Sequence, residues 1–159
     1  DIDSSFLAWC RATMEKAVPD EIYGFLNLTD DVLNFVVIVE GDIKMVRSIT
    51  IPDRAVLDVK KVFEKPAEVT EEEIASVVDF MYSELSSSIS YFQMQYGFQI
   101  NKILLTASTA VEGALLEALN QKSYVPVEIP KLYDEYMNNN FDPVGYSGCI
   151  SLAKVALEG

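Results

Sequence analysis

The chain contains no histidine, and that absence removes a large part of enzyme chemistry. Without an imidazole, neither a Ser-His-Asp triad nor a Cys-His pair can be assembled. Cysteine is scarce. Cys10 and Cys149 are too few for a disulfide framework, and with no histidine beside them they do not make an ordinary zinc site. Both thiols are expected in the core of a protein from a reducing compartment. Basic residues are outnumbered, 12 Lys and Arg against 25 Asp and Glu, so the net charge is −13. The field of such a molecule repels phosphate backbones and anionic headgroups, which excludes nucleic acid as an expected partner and favours a basic protein surface. Long apolar runs are also missing. The longest candidates, such as FVVIV at Phe35 to Val39, have the length of a strand, whereas a bilayer span needs about 18 residues. Any membrane attachment is expected through a segment outside these residues.

What is present is a chain of 159 residues, half of them hydrophobic, enough for one well-packed domain over residues 1–159. Ser4 or Ser5 caps a first helix whose apolar positions Phe6, Leu7, Cys10, Met14 and Val18 recur at helical spacing until Pro19. Three β-rich runs follow, Tyr23 to Leu28, Val32 to Val39 and Ile43 to Ile51, separated by TDD and by a hairpin turn at Glu40, Gly41 and Asp42. They predict an antiparallel meander. The stretch after it, PDRAVLDVKKVFEKPAEV, has two prolines and no steady period, and reads as a connection with one short helix.

A long helix comes next. Thr70 and Glu73 form a capping box, Glu71 and Glu72 complement the helix dipole, and Ile74, Val77, Val78, Met81, Leu85, Ile89 and Phe92 make one apolar stripe that stops at Gly97. Within it, Ser86, Ser87 and Ser88 read as a small close-packed or solvated surface. The strand Lys102 to Thr106, apolar at nearly every position, is expected centrally in the sheet, followed by a loop, a helix to about Lys122 and a strand at Val125 to Ile129. Phe35, Val37, Leu104 and Leu105 are expected inside. A turn-rich segment and a last helix from about Cys149 to Leu157 close the chain. Strand, helix and strand joined in this way imply a parallel crossover. The predicted fold is therefore α/β, a mixed five-stranded sheet with flanking helices in the order of the ribonuclease H-like fold, which also forms each half of actin-like ATPases.

Several stretches add a family resemblance. DIDSSFLAWCRATM, FLNLTDDVLNFVVIVEGDIKMVRSITIP, ELSSSISYFQMQYGFQINKILLTASTAVEGALLEALNQKSYVPVEI and SLAKVALEG resemble, in order and spacing, the second half of the cytoplasmic actin-like domain in the PilM/GspL family of type IV pilus biogenesis and type II secretion proteins. Bitopic pilus-assembly proteins with a short cytoplasmic domain, such as that of the bundle-forming pilus system, are the nearest class. The resemblance implies a place on the cytoplasmic face of the bacterial inner membrane, with the assembly ATPase and inner-membrane platform proteins as partners.

Departures from the family lie where a nucleotide would bind. The D-I-G of a nucleotide-binding relative corresponds to Asn27, Leu28 and Thr29, which removes a metal-facing carboxylate and a glycine. Asp30 and Asp31 then put negative charge where a phosphate would sit. The L-T-G-G-G-A loop corresponds to Leu105, Thr106, Ala107, Ser108, Thr109 and Ala110, with no glycine until Gly113. Glycine lets backbone approach a phosphate closely, and each extra Cβ crowds that space. No cofactor is expected. A two-metal nuclease is not expected either, since the first strand offers only Asn27 where a central carboxylate is needed.

Three readings follow: a non-catalytic scaffold domain of a pilus or secretion machine, a weak actin-like ATPase whose other half lies outside the sequence, or an interaction module of an unrelated complex. For the scaffold, the candidates for partner binding are Asp30, Asp31, Glu40 and Asp42 in turns and Glu71 and Glu72 at a helix start.

Overall fold

The computed structural model of the chain describes residues 4–15, 21–107 and 109–130. In order these form α1 (Ser4–Met14), β1 (Tyr23–Leu28), β2 (Val32–Val39), β3 (Asp42–Thr50), α2 (Asp53–Glu64), a 3-10 turn (Pro66–Glu68), α3 (Glu71–Tyr96), β4 (Lys102–Ala107), α4 (Glu112–Asn120) and β5 (Val127–Glu128). The expected closing helix, with Cys149, and the Val18–Pro19 end of the first helix lie outside the described residues.

The strands form one five-stranded sheet in the order β3-β2-β1-β4-β5. The first three are antiparallel neighbours, as the two short turns between them require, while β4 runs parallel to both β1 and β5. β4 is interior, but the middle position belongs to β1, which bonds to β2 on one side and β4 on the other. β5 keeps only two residues of the expected strand.

Strand alternation sorts the apolar side chains between two layers. Leu26, Leu28, Leu33, Phe35, Val37, Ile103 and Leu105 meet α2, α3 and α4 on one face. On the other, Tyr23, Phe25, Val36, Ile38 and Leu104 meet Phe6, Trp9 and Cys10 of α1. Trp9 stands edge-on to Phe25 at 5.6 Å between centroids, so an aromatic pair anchors α1. All four residues expected inside the sheet are buried.

α3 begins as expected. The Thr70 side chain accepts from the Glu73 N–H, and the Glu73 carboxylate accepts from the Thr70 N–H at 2.9 Å. Gly97 ends it in the left-handed region at φ 73°, where a Cβ would be strained. Val77, Val78, Met81, Leu85 and Phe92 of the stripe are buried, joined by Phe80 and Ser88. The serine triplet divides accordingly, Ser88 inside and Ser87 exposed.

The segment after β3 departs from expectation. It holds a full 12-residue helix, α2, which buries Ala55, Val59 and Val62 at spacings of four and three. Its prolines bracket the helix: Pro52 precedes the first residue and Pro66 follows the last turn. Proline excludes helix interior but not helix boundaries, so the breakers frame the element instead of abolishing it.

Candidate functional site

Parallel β1 and β4 end side by side, with Asn27 opposite Thr106 and Leu28 opposite Ala107. In open α/β sheets ligands gather beyond the carboxyl ends of parallel strands, and the two loops that resemble nucleotide loops both start there. The structure therefore brings Asn27, Thr29, Ala107 and Thr109 to one end of the sheet. Ser108 lies outside the described residues.

The first loop commits three of its own N–H donors, those of Thr29, Asp31 and Val32. Thr29 Oγ1 accepts from the N–H groups of Val32 at 3.1 Å and Asp31 at 3.4 Å, and donates to the Asp31 carboxylate at 2.9 Å. The Thr29 N–H donates to the Val32 carbonyl at 2.9 Å. A phosphate-binding turn needs free N–H groups aimed outward, and these are committed to holding the hairpin. The exposed carboxylates of Asp30 and Asp31 stand over it.

The second loop is closed in the same manner. Glu112, in the first turn of α4, is buried and its carboxylate accepts from the Ala107 N–H at 2.7 Å. The Thr109 N–H donates to the Ala107 carbonyl at 2.8 Å, and Thr109 Oγ1 donates to the Val62 carbonyl at 2.6 Å, tying the loop to the end of α2. Thr109 thus points into the helix layer and is itself buried. A carboxylate occupies the loop where an anionic ligand would need a donor.

On the α1 side of the sheet, register places Thr106, Asn27, Asn34 and Ser48 in one row across β4, β1, β2 and β3. Thr106 Oγ1 donates to Asn27 Oδ1 at 2.9 Å, a neutral pair at the strand position where paired carboxylates would be needed to hold metal. Asn34 is 4% exposed and its Oδ1 has no hydrogen-bond partner among the described residues. Among the described residues, no three carboxylate or thiol side chains converge in a way that would hold a metal ion. A groove of about 470 Å³ between α2 and α3, lined by Arg54, Glu72, Ser76, Asp79 and Phe80, shares no residue with these loops.

Sequence reasoning missed Glu112 and Asn34. Asn34 interrupts the apolar run VLNFVVIV, a visible signal, but its alignment with Asn27 and Thr106 needs the register. Glu112 follows a run of small residues as an acid in a first helical turn, which reads as an ordinary dipole partner.

The six partner candidates do not form one cluster. Asp30 and Asp31 flank the end of β3, where the Ile51 N–H donates to the Asp31 carbonyl at 3.2 Å. Glu40 and Asp42 lie in the hairpin at its start, and Glu71 and Glu72 are in the first turn of α3. All six are exposed.

No family model matches the chain, nor does any curated protein. Solved structures place it in a class: it has the actin-like ATPase fold, as does a Bacteroides thetaiotaomicron protein of unknown function that superposes with a TM-score of 0.51 at 10% identity. That match covers 93% of this chain and 43% of the other. A particular likeness within the class is to the PilM-PilN type IV pilus biogenesis complex, with a TM-score of 0.65 and 17% identity over all of this chain and 53% of that one. The chain thus spans about half the length of the structures it matches.

Proposed function

We propose that this is a non-catalytic scaffold domain of a type IV pilus assembly or type II secretion complex, at the cytoplasmic face of the bacterial inner membrane. In this reading it binds the assembly ATPase and inner-membrane platform proteins and uses no cofactor. The observation that carries it is the way both loops beyond β1 and β4 fold on themselves: the N–H groups of Thr29, Asp31, Val32, Ala107 and Thr109 go to Thr29 Oγ1, to the Glu112 carboxylate and to neighbouring carbonyls. In this reading a domain of the fold whose described loop donors are largely committed within the loops acts by contact. The likeness to a pilus biogenesis complex supplies the setting, and the acid excess favours a basic surface on the partner.

Calorimetry with Mg-ATP tests the reading directly. The expected result is no saturable heat. Saturable binding in the micromolar range would overturn it in favour of a weak actin-like ATPase completed by a half outside this sequence.

A further inference from the structure

We infer that the free edge of β3 is a docking site for an extended, basic-flanked segment of a partner protein, which adds to the sheet as a further strand. The inference deepens the scaffold reading by naming the mode of contact and the chemistry of the occupant. Among the described residues β3 is the long edge of the sheet, nine residues against two in β5 at the other side.

Which backbone groups face outward follows from two hydrogen bonds. Ile51 donates its N–H to the Asp31 carbonyl at 3.2 Å, so Ile51 faces β2. In an antiparallel strand the N–H and C=O of one residue point to the same side, and successive residues alternate. Ile49, Arg47 and Met45 therefore face β2 as well, and Thr50, Ser48, Val46 and Lys44 face away from the sheet. Tyr96 agrees independently: at the end of α3 its hydroxyl donates to the Lys44 carbonyl at 3.0 Å, at the edge.

Among the described residues, this edge is guarded at one end only. Natural sheets blunt exposed edges with charge, bulges and covering groups, and here Tyr96 seals the Lys44 carbonyl beside an irregular register between Val37 and Ile38. Beyond it, the outward N–H and C=O groups of Val46, Ser48 and Thr50 form a row of donors and acceptors with no partner among the described residues. Side chains at these three positions are exposed. Val46, opposite Val36, extends the apolar row that α1 covers on the inner strands. On the opposite face of the sheet Arg47 bonds to Ser88 of α3 at 2.6 Å, and Tyr91, one helical turn beyond Ser88, is 55% exposed.

The charge at the ends of the edge sets the chemistry of the occupant. Glu40 and Asp42 lie at the start of β3, and Asp30 and Asp31 at its end, roughly 30 Å away for nine extended residues. A segment with an alternating apolar centre and a basic pair at each end matches both the hydrogen-bonding row and the acidic turns. Strand addition supplies affinity through the main chain, and the flanks supply specificity and a salt-screened on-rate.

The test uses the isotope-labelled chain and two synthetic decapeptides with the same alternating Thr-Val centre, one flanked by lysine pairs and the other by glutamate pairs. The lysine-flanked peptide is expected to slow amide hydrogen exchange at Val46, Ser48 and Thr50, to bind several-fold more weakly as salt is raised, and to outcompete the glutamate-flanked one. Ser48→Pro removes one outward N–H without touching the ladder to β2 and is expected to abolish protection. If that variant does not fold, Val46→Lys supplies the same block. No protection at these three amides, or protection at other sites only, overturns the proposal. Equal binding of the two peptides overturns its charge component. A pull-down of the purified assembly ATPase separates this from the functional reading: peptide protection at β3 without ATPase capture leaves the edge site standing and removes the scaffold assignment.

Discussion

Gly24 sits in the middle strand for a steric reason. A Cβ there would come within 2.7 Å of Ile103 Cδ1 and 2.9 Å of Phe35 Cε1, and both side chains are fully packed. Gly24→Ala is expected to cost about 1–3 kcal/mol through overpacking, read as a lower denaturant midpoint at an unchanged slope. Cys10 is completely buried between α1, which carries it, and the sheet, and that burial pushes its thiol well above the usual range. It therefore stays protonated and out of reach of reagents. A maleimide or disulfide reagent is expected to modify Cys10 only after denaturation; modification in the native state at the rate of a free thiol would show that α1 does not stay docked. Both residues look ordinary in sequence, and their surroundings set their roles.

Among the elements, α3 is the one most completely written in its own residues. Its capping box, apolar stripe and terminal glycine lie within the helix or next to it, and each acts over a few positions. Thr70→Ala is expected to cost about 1 kcal/mol, measured by chemical denaturation. Glu73 adds a pH dependence. The Thr70 N–H first, and then Lys61 at 3.0 Å, hold its carboxyl below the ordinary value of 4.5. A lowered folded pKa means that the stabilisation is complete above the ordinary value and disappears as pH falls through the folded one. The stability gap between the parent and Glu73→Gln is thus expected to be constant near neutrality and to close in acid below that value. A gap independent of pH would show that Glu73 acts through packing alone. α2 was less legible, because its two prolines look like loop markers until the helix between them is seen to bury Ala55, Val59 and Val62.

Over the whole molecule the acid excess dominates. Arg47, Lys61, Lys102 and Lys122 each meet a carboxylate, at 3.6, 3.0, 3.2 and 3.0 Å, so part of the small basic complement is already spent inside the fold. Surface pairs of this kind contribute little to stability, and the remaining charge repels itself. Moderate salt is expected to raise the melting temperature by screening that repulsion, while weakening the docking of a basic partner. Replacing Asp30, Asp31, Glu40 and Asp42 with their amides is expected to raise melting temperature and lower partner affinity together. Neutral variants that bind as tightly as the parent at every ionic strength would make the contact apolar or a strand-edge addition carried by the main chain alone.

Much of this protein was legible from the chain alone, because hydrophobic periods of two and 3.6 residues and helix caps act over short distances. The antiparallel meander, the long helix, the burial of Phe35 and Leu105 and the absence of glycine from both loops follow from residues close in sequence. The resemblance-based expectation of an actin-like fold agrees with the solved structures. The pairing of Thr106 with Asn27 across 79 positions, the Asn34 Oδ1 beside them with no partner among the described residues, and the outward row on β3 were decided only by tertiary structure. So was the turn of Glu112 back onto the Ala107 N–H, a contact between near neighbours that depends on how α4 docks behind β4. Register and docking come from packing summed over the whole sheet, where a slip of one residue would send each side chain to the opposite face.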